Sequence, residues 1–246
     1  MRIAFLGGGN MANALIGGLV AKGYEARDIS VIEISPAARE KIGAHGVRVG
    51  TAPDATTAKA DTLLLAVKPQ DARAALASIA ASVGGKLVRC MPNTPALVGA
   101  GIAGLYALPE VTAAERQRAQ AILEAVGEVV WLRDERLLDC VTAVSGSGPA
   151  YVFWFIEQLA AYAEQAGIDR ADALKLATHT VLGSAKLAAQ SVEPPSQLRK
   201  NVTSKGGTTE AALRVFEEER LAERFAKALA AATRRGGELG DELGKD

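Results

Sequence analysis

A glycine-rich segment near the amino terminus constrains the fold of this chain more than any other feature of its sequence. The apolar run Arg2–Leu6 is followed by the sequence GGGNMA, which fits the pattern G-x-G-x-x-G/A. In such a segment Gly7 permits a tight turn, Gly9 lets a pyrophosphate approach the backbone, and Ala12 lets the following helix pack close to the strand. A structural glycine-rich turn is the alternative, but the position between a strand and a helix favours a phosphate-binding loop.

The first half of the chain alternates short apolar runs with helical patterns, which indicates a doubly wound, mostly parallel sheet of the Rossmann type. The run Thr62–Val67 is apolar almost throughout, which is typical of a strand buried on both faces of its sheet. Strands are predicted at Arg2–Leu6, Ile29–Glu33, Thr62–Val67, Leu87–Cys90 and Glu128–Trp131, and helices over Asn10–Lys22, from Pro36 and over Ala113–Ala125.

The second half contains no convincing strand pattern, so we predict that it is entirely helical. Helices are predicted from Gly148 and over Arg170–Ser191, Thr209–Glu219 and Leu221–Leu239, with a break at Pro194-Pro195 and a frayed end from Gly236. The fold class is therefore α/β, with a dinucleotide-binding domain over residues 1–143 and a helical dimerisation and substrate domain over residues 144–246. Helices rich in small residues bury little area each, so we expect a homodimer. A monomer in which the two halves pack together is the alternative.

The composition excludes several classes of protein. Lys+Arg and Asp+Glu both number 28, so no basic excess indicates a nucleic-acid partner. The two cysteines, Cys90 and Cys140, do not suggest a disulfide framework and favour a cytoplasmic location. The sequence has no cluster of His, Cys and acidic residues at metal-ligand spacing. It also has no apolar run of the length that a signal peptide or a membrane span needs.

The residues after the second predicted strand are candidates for the ribose of a dinucleotide. Glu33 stands at about the spacing from the glycine loop at which an acid binds the ribose 2′-OH, which would favour NADH. Ser35 and Arg39 follow closely and are suited to a 2′-phosphate instead, which would favour NADPH. The sequence leaves both cofactors open, and Arg39 on a solvated helix face is the alternative interpretation.

Two further loops follow predicted strands, at the sheet edge where open α/β folds bind ligands. The first has the sequence AVKPQ and contains Lys68, which is suited to a phosphate or a ribose hydroxyl, or to solvent alone. The second has the sequence MPNTP, in which Asn93 and Thr94 can hydrogen-bond a nicotinamide amide or ribose.

The segment TSKGGTT precedes a predicted helix in the second half of the chain. Glycines and hydroxyls at a helix amino terminus form an anion site, and a carboxylate is suited to the N–H groups of Gly207, Thr208 and Thr209. The alternative is an ordinary helix cap by Thr208 or Thr209. Because a cap does not need two consecutive glycines, we favour a ligand.

Five motifs in this order, GGGNMA, AVKPQ, MPNTPA, SGSGPAY and TSKGGTT, resemble those of pyrroline-5-carboxylate reductase over nearly the whole chain. The last two motifs are specific to that family, whereas the first is shared with many dehydrogenases. The resemblance implies an amino-terminal Rossmann domain, a helical dimerisation domain and frequent assembly into decamers. It also implies reduction of 1-pyrroline-5-carboxylate to L-proline with NADPH or NADH.

The resemblance implies roles at the matching positions. The cofactor pyrophosphate would be held by Gly7, Gly9, Asn10 and Met11. The nicotinamide ribose and ring would be flanked by Ala66, Lys68, Pro69, Asn93 and Thr94. The substrate carboxylate would rest on Gly206, Gly207 and Thr208. Thr209, the catalytic candidate, would contact the ring nitrogen. Apart from the resemblance, we expect Ser145, which lies just before the helix from Gly148, to contact the ligand.

Three departures from the family pattern stand out. Ile34 occupies a position where many relatives carry Arg, which weakens the case for NADPH, and Lys205 replaces the more usual Pro. The interval between Lys68 and Met91 is shorter by roughly a strand and a helix. We interpret this as an omitted segment rather than a lost strand, because a lost strand would expose backbone groups of its neighbours.

Three other functions compete with the imine reductase. A β-hydroxyacid dehydrogenase relative would need a lysine on the interdomain helix, and Tyr151–Glu164 contains none. A regulator that binds a dinucleotide without turnover would not need the GGTT segment. A hydrolase built on Ser147 would need a His and an acid partner; we expect Ser147 to cap the helix from Gly148 instead.

Overall fold

The computed structural model describes residues 1–54, 57–67, 75, 77 and 87–245. The chain divides into two compact units. The first comprises Met1–Gly146 and Thr233–Asp246, and the second comprises Ser147–Ala232. The domain ranges 1–143 and 144–246 stay predictions.

The first unit begins with a parallel sheet of four strands. The strands are β1 (Ile3–Leu6), β2 (Ile29–Ile32), β3 (Arg48–Gly50) and β4 (Thr62–Leu65), in the order β3-β2-β1-β4. Helix α1 (Asn10–Ala21) follows β1, and α2 (Pro36–Gly43) follows β2. Since the chain runs outward from β1 to β3 and then returns to the other side of β1, the order of strands reverses between β1 and β4. Ligands of open α/β sheets bind beyond the carboxyl ends of the strands at such a point.

The second sheet of this unit has three strands, β5 (Val88–Met91), β6 (Gly101–Ala107) and β7 (Gly127–Trp131). β5 runs antiparallel to β6, and β6 runs parallel to β7. Helix α3 (Ala113–Leu123) lies between β6 and β7, and α4 (Leu137–Val141) follows β7 and continues into a π-helical turn over Thr142–Gly146. Short 3-10 turns occur at Ala26–Asp28, Thr57–Lys59 and Thr94–Val98.

The predicted interior burial of the fourth strand is wrong. All four residues of β4 are only half-buried, whereas those of β1 and β2 are buried. Within the described part of the chain, β4 pairs only with β1, and β5 pairs only with β6. The predicted omission between Lys68 and Met91 lies mostly outside the described residues.

One apolar core joins the two sheets of the first unit. It contains Phe5 from β1, Ile16 and Leu19 from α1, Leu105 from β6 and Ile122 from α3, each at most 1% exposed. The α/β prediction is confirmed. Because both sheets pack against the same residues, the loop after β1 and the loop after β5 are held by one framework.

The second unit is built from helices. They are α5 (Gly148–Gln165), α6 (Arg170–Gln190), α7 (Pro195–Asn201), α8 (Thr208–Glu218) and α9 (Leu221–Lys245), whose last residues belong to the first unit. Pro194-Pro195 does interrupt the helical run, but Pro195 also begins α7, at a position where its missing N–H costs no hydrogen bond. No described helix is long and apolar enough to cross a membrane.

The predicted fraying from Gly236 is wrong, since α9 stays helical to Lys245. Arg235 forms ion pairs with Glu238 at 3.1 Å and with Glu242 at 2.8 Å. The pair with Glu238, one turn along, stabilises a helix end that Gly236, Gly237, Gly240 and Gly244 would otherwise weaken.

Candidate active site

The turn after β1 needs glycine at its first position for two reasons. Gly7 has a φ of +99°, and a Cβ there would lie 2.5 Å from the carbonyl oxygen of Ala66. Backbone N–H groups fasten the same region, since Gly7 donates to Ile32 O at 2.9 Å and Ala66 donates to Leu6 O at 2.7 Å. The structure thus brings Gly7 and Ala66, both predicted cofactor residues, into contact where the strand order reverses.

Gly9, in contrast, has no structural reason to be glycine. A Cβ at this position would meet no atom of the described chain within 4 Å, and φ is −68°. Helix α1 begins next to it with Asn10 and Met11, has no side-chain cap and carries no acid in its first turn. Free N–H groups at a helix start attract anions, so these residues fit a dinucleotide pyrophosphate.

Glu33 joins the glycine loop to the end of β2. Its Oε2 accepts the N–H of Gly8 at 2.6 Å, and its Oε1 accepts the N–H of Ser35 at 2.7 Å. The carboxylate therefore stands beside the loop, at the place where a ribose hydroxyl is bound in folds of this type.

The two candidates for a 2′-phosphate already have protein partners. The Oγ of Ser35 accepts the N–H of Ala38 at 3.4 Å and caps α2. The Nη1 of Arg39 donates to the carbonyl oxygens of Glu33 at 3.1 Å and Ile34 at 2.7 Å. Ile34, which lies between Glu33 and Ser35 in the sequence, has an apolar side chain and is 82% exposed. A 2′-phosphate would thus have to compete with contacts that shape the loop.

The loop after β5 contains one buried polar side chain. Asn93 is 8% exposed; its Nδ2 donates to the carbonyl oxygen of Ser145 at 3.1 Å, and its Oδ1 accepts the N–H of Ile102 at 3.0 Å. Thr94 begins the following 3-10 turn and is exposed. Both ends of the Asn93 carboxamide are engaged, so its contact with a ribose stays a prediction. Lys68 and Pro69 lie outside the described residues.

In the described part of the chain, neither serine before α5 has a hydrogen bond to a histidine or an acid that could activate it. Ser145 donates its Oγ to Val141 O at 3.0 Å, within the π-helical turn. Ser147 occupies the cap position of α5, but its side chain accepts no N–H, so the predicted capping bond is wrong. Its backbone is already helical there, which turns the side chain away from the first-turn N–H groups. Among the described residues no group of His, Cys and acids could hold a metal ion.

The GGTT segment of the second unit has a tightly wound backbone. Gly206 has a φ of +73°, and a Cβ at Gly207 would overlap the Oγ of Ser204. The backbone conformation at Gly206 and the lack of space at Gly207 thus explain why both residues are glycine. The pair of glycines alone is therefore no argument for a ligand. Neither Thr208 nor Thr209 caps α8, whose cap position is Gly207 without a side-chain bond. The threonine N–H groups are therefore those that a helix leaves without an internal acceptor.

Two N–H groups of this segment are already used. Gly207 donates to Ser204 O at 3.0 Å, and Gly206 donates to Oε2 of Glu210 at 2.7 Å. Sequence reasoning missed Glu210, although an acid three residues after a helix cap is the spacing of a capping box. The anion positions that remain are at Thr208 and Thr209, the second of which is half-buried.

Comparisons with known proteins agree over both units. A family model described as pyrroline-5-carboxylate reductase dimerisation matches residues 135–239, and one described as NADP oxidoreductase coenzyme F420-dependent matches residues 2–91. The pyrroline-5-carboxylate reductase of Pseudomonas aeruginosa is 40% identical, with 99% of this chain and 98% of that protein aligned. That of Synechocystis sp. is also 40% identical, with 98% of each covered.

Solved structures give the same result. The pyrroline-5-carboxylate reductase of Coxiella burnetii has a TM-score of 0.92 and 36% identity, over 97% of this chain and 98% of that one. The Plasmodium falciparum pyrroline carboxylate reductase with NADP bound has a TM-score of 0.83 and 25% identity, over 98% of each chain. The alignment with the Pseudomonas protein spans 269 residues, more than the 246 of this chain, so that relative has residues without a counterpart here.

Proposed function

The chain belongs to the pyrroline-5-carboxylate reductase family. We propose that the residues described above bind the cofactor and the imine and promote reduction of 1-pyrroline-5-carboxylate to L-proline. The chain is an oxidoreductase of proline biosynthesis that acts on the CH–NH group. The observation that supports the activity most strongly is the 40% identity with a curated reductase over both units. The geometry supports the assignment of residues to roles.

In the proposed site, Gly7, Gly9, Asn10 and Met11 hold the pyrophosphate of NADPH or NADH. This is supported by the open space at Gly9 and by the uncapped start of α1. When bound, the nicotinamide cofactor supplies the hydride that reduces the imine carbon. Ala66, which follows β4, and Thr94, which follows β5, flank the nicotinamide end in the proposed site. The roles of Lys68 and Pro69 there stay predictions.

The substrate proposed is 1-pyrroline-5-carboxylate, a cyclic imine that carries a carboxylate. Its carboxylate rests on the start of α8 at Thr208, with Gly206 and Gly207 shaping the backbone. A contact of Ser145 with the ligand stays a prediction. The hydroxyl of Thr209 orients the ring nitrogen. Because a protonated imine is already electrophilic, the residues have to orient and enclose the substrate more than to protonate it.

We infer that this chain prefers NADH to NADPH. The Glu33 carboxylate is fixed beside the glycine loop, where it would accept a ribose hydroxyl and repel a 2′-phosphate. The cation of Arg39 is held by two carbonyl oxygens, and Ile34 offers no charge. The NADP in the Plasmodium structure belongs to that protein.

The helical unit carries a dimerisation domain. We propose that two copies of this chain form a homodimer through it, since Phe153 and Trp154 of α5 are each 60% exposed. Assembly beyond the dimer, to a decamer, stays a prediction. We also propose a cytoplasmic location, which fits the free thiols of Cys90 and Cys140.

Steady-state oxidation of NADH and NADPH, with and without 1-pyrroline-5-carboxylate, tests this function. We expect oxidation that depends on the imine and yields proline, with the higher kcat/KM for NADH. If the folded protein binds either cofactor yet shows no imine-dependent oxidation, the proposal fails and a non-catalytic regulator becomes the better explanation.

A further inference from the structure

Asn93 is a buried polar residue that links three segments of the first unit. It lies in the loop after β5, accepts the N–H of Ile102 at the start of β6, and donates to Ser145 in the π-helical turn. The two bonds also determine the orientation of the carboxamide. In the reversed orientation the NH2 group would face the N–H of Ile102, and the oxygen would face the carbonyl oxygen of Ser145.

Two side chains of the turn that Asn93 contacts form hydrogen bonds to backbone carbonyl oxygens of the preceding turn. Thr142 donates its Oγ1 to Leu138 O at 2.8 Å, and Ser145 donates its Oγ to Val141 O at 3.0 Å. Both bonds reach back four residues to a backbone carbonyl of the preceding turn, the contact by which Ser and Thr side chains often bend a helix. The carbonyl oxygen of Ser145 accepts its hydrogen bond from the side chain of Asn93, outside the turn.

A second contact ties the same two segments together. A Cβ on Gly146, the last residue of the turn, would lie 2.6 Å from Cε of Met91, the last residue of β5. The end of β5 and the loop after it therefore contact the π-helical turn at two consecutive residues. One contact is a hydrogen bond to Ser145, and the other is a close approach at Gly146.

We propose that Asn93 is a positioning residue for the reductase reaction, an inference that rests on the proposed function. It fixes the π-helical turn, and with it Ser145, against the loop that carries Thr94. Asn93 thereby sets the spacing between the nicotinamide end of the cofactor site and the ligand contact at Ser145. In this role its carboxamide acts through the turn, rather than by binding the cofactor ribose.

The variant N93D tests this role. A carboxylate keeps an acceptor for Ile102 but places a second acceptor against the carbonyl of Ser145, so the turn is released. We expect kcat, and the single-turnover rate of cofactor oxidation, to fall at least about tenfold, while KM for NADH changes less than about threefold. The matched control is Q120E. Gln120 is a half-buried carboxamide that bridges Trp131 at 2.8 Å and Glu124 at 2.7 Å, away from the turn.

A second variant protects the test against loss of folding. In G146A the new methyl group would meet the flexible end of the Met91 side chain and displace the π-helical turn, while Asn93 itself is unchanged. We expect the same split, with kcat lowered and cofactor KM kept, and a melting temperature close to that of the Q120E control.

Two outcomes would overturn the inference. One is a rise in cofactor KM with unchanged kcat in N93D, as direct binding of the ribose requires. The other is normal kinetics in both variants with only a lowered melting temperature, as a purely structural role requires. All rates are ratios to the wild-type protein, so absence of wild-type turnover would count against the proposed function and not against Asn93.

Discussion

The carboxylate of Glu33 accepts the N–H of Gly8 at 2.6 Å, so the acid that follows β2 is fastened to the loop that follows β1. The same carboxylate accepts the N–H of Ser35 at 2.7 Å, and both of its oxygens are thus fixed by backbone. Because both oxygens are held, the carboxylate cannot easily rotate away, and its negative charge would repel a 2′-phosphate bound beside it. In the proposed site, this hydrogen bond would couple the loop that binds the phosphates to the acid that recognises the ribose.

The first prediction concerns the cofactor. In I34R a guanidinium replaces an exposed apolar side chain beside Glu33, at the position where a 2′-phosphate would lie. We expect the ratio of kcat/KM for NADPH to that for NADH to rise about tenfold, the effect of roughly 1.4 kcal/mol. The control I34L should leave the ratio unchanged. An equal ratio in I34R and I34L would show that the 2′-phosphate lies elsewhere.

The second prediction compares two glycines of one loop. In G9A the new methyl group points into space that the chain leaves open, so we expect an unchanged melting temperature and a cofactor KM raised at least about tenfold. In G7A the backbone has a φ of +99° and the methyl meets Ala66 O, so we expect a loss of about 1–3 kcal/mol in stability. Thermal unfolding and cofactor titration on both variants check this. A loss of stability in G9A would assign that glycine to the fold.

Sequence patterns predicted β1, β2 and β4 of the first sheet because these strands are apolar, but they missed β3, a three-residue strand that contains Arg48 and Gly50. They missed β6, since Gly101 and Gly104 make Gly101–Ala107 a poor strand by propensity. The structure explains both glycines through packing. A Cβ at Gly101 would lie 2.9 Å from Ala96, and one at Gly104 would lie 2.8 Å from Val141. Such contacts join residues that are distant in the sequence, so no local pattern reveals them.

The candidate site shows the same limit. The glycine loop was recognisable because a strand, a turn and a helix follow one another directly. The engagement of Arg39 by two carbonyl oxygens, and of Asn93 by Ser145 and Ile102, depends on the path of the folded backbone. Residue type alone suggested a ligand for both side chains, whereas the structure first gives each a partner within the protein.

The third prediction concerns Thr209, the second residue of α8. If its hydroxyl orients the ring nitrogen, T209A should lower kcat by about ten- to a hundredfold through loss of positioning. T209S keeps the hydroxyl and should restore most of the rate. Stopped-flow oxidation of NADH with saturating imine measures both variants. Full activity in T209A, or equal defects in T209A and T209S, would exclude the hydroxyl from the reaction.

The last prediction concerns the dimer. Phe153 and Trp154 are each 60% exposed on α5, and large aromatic side chains in water are typical of a surface that a partner covers. Burial of such side chains stabilises an interface by several kcal/mol, and a pair of carboxylates in their place would have to be desolvated against that partner. The double variant F153E/W154E should therefore sediment as a monomer at concentrations where the wild-type protein sediments as a dimer, with unchanged helix content by circular dichroism. K41E changes the net charge equally on an exposed residue of α2 and should leave the dimer intact. If F153E/W154E still sediments as a dimer, the interface lies on another face of the helical unit.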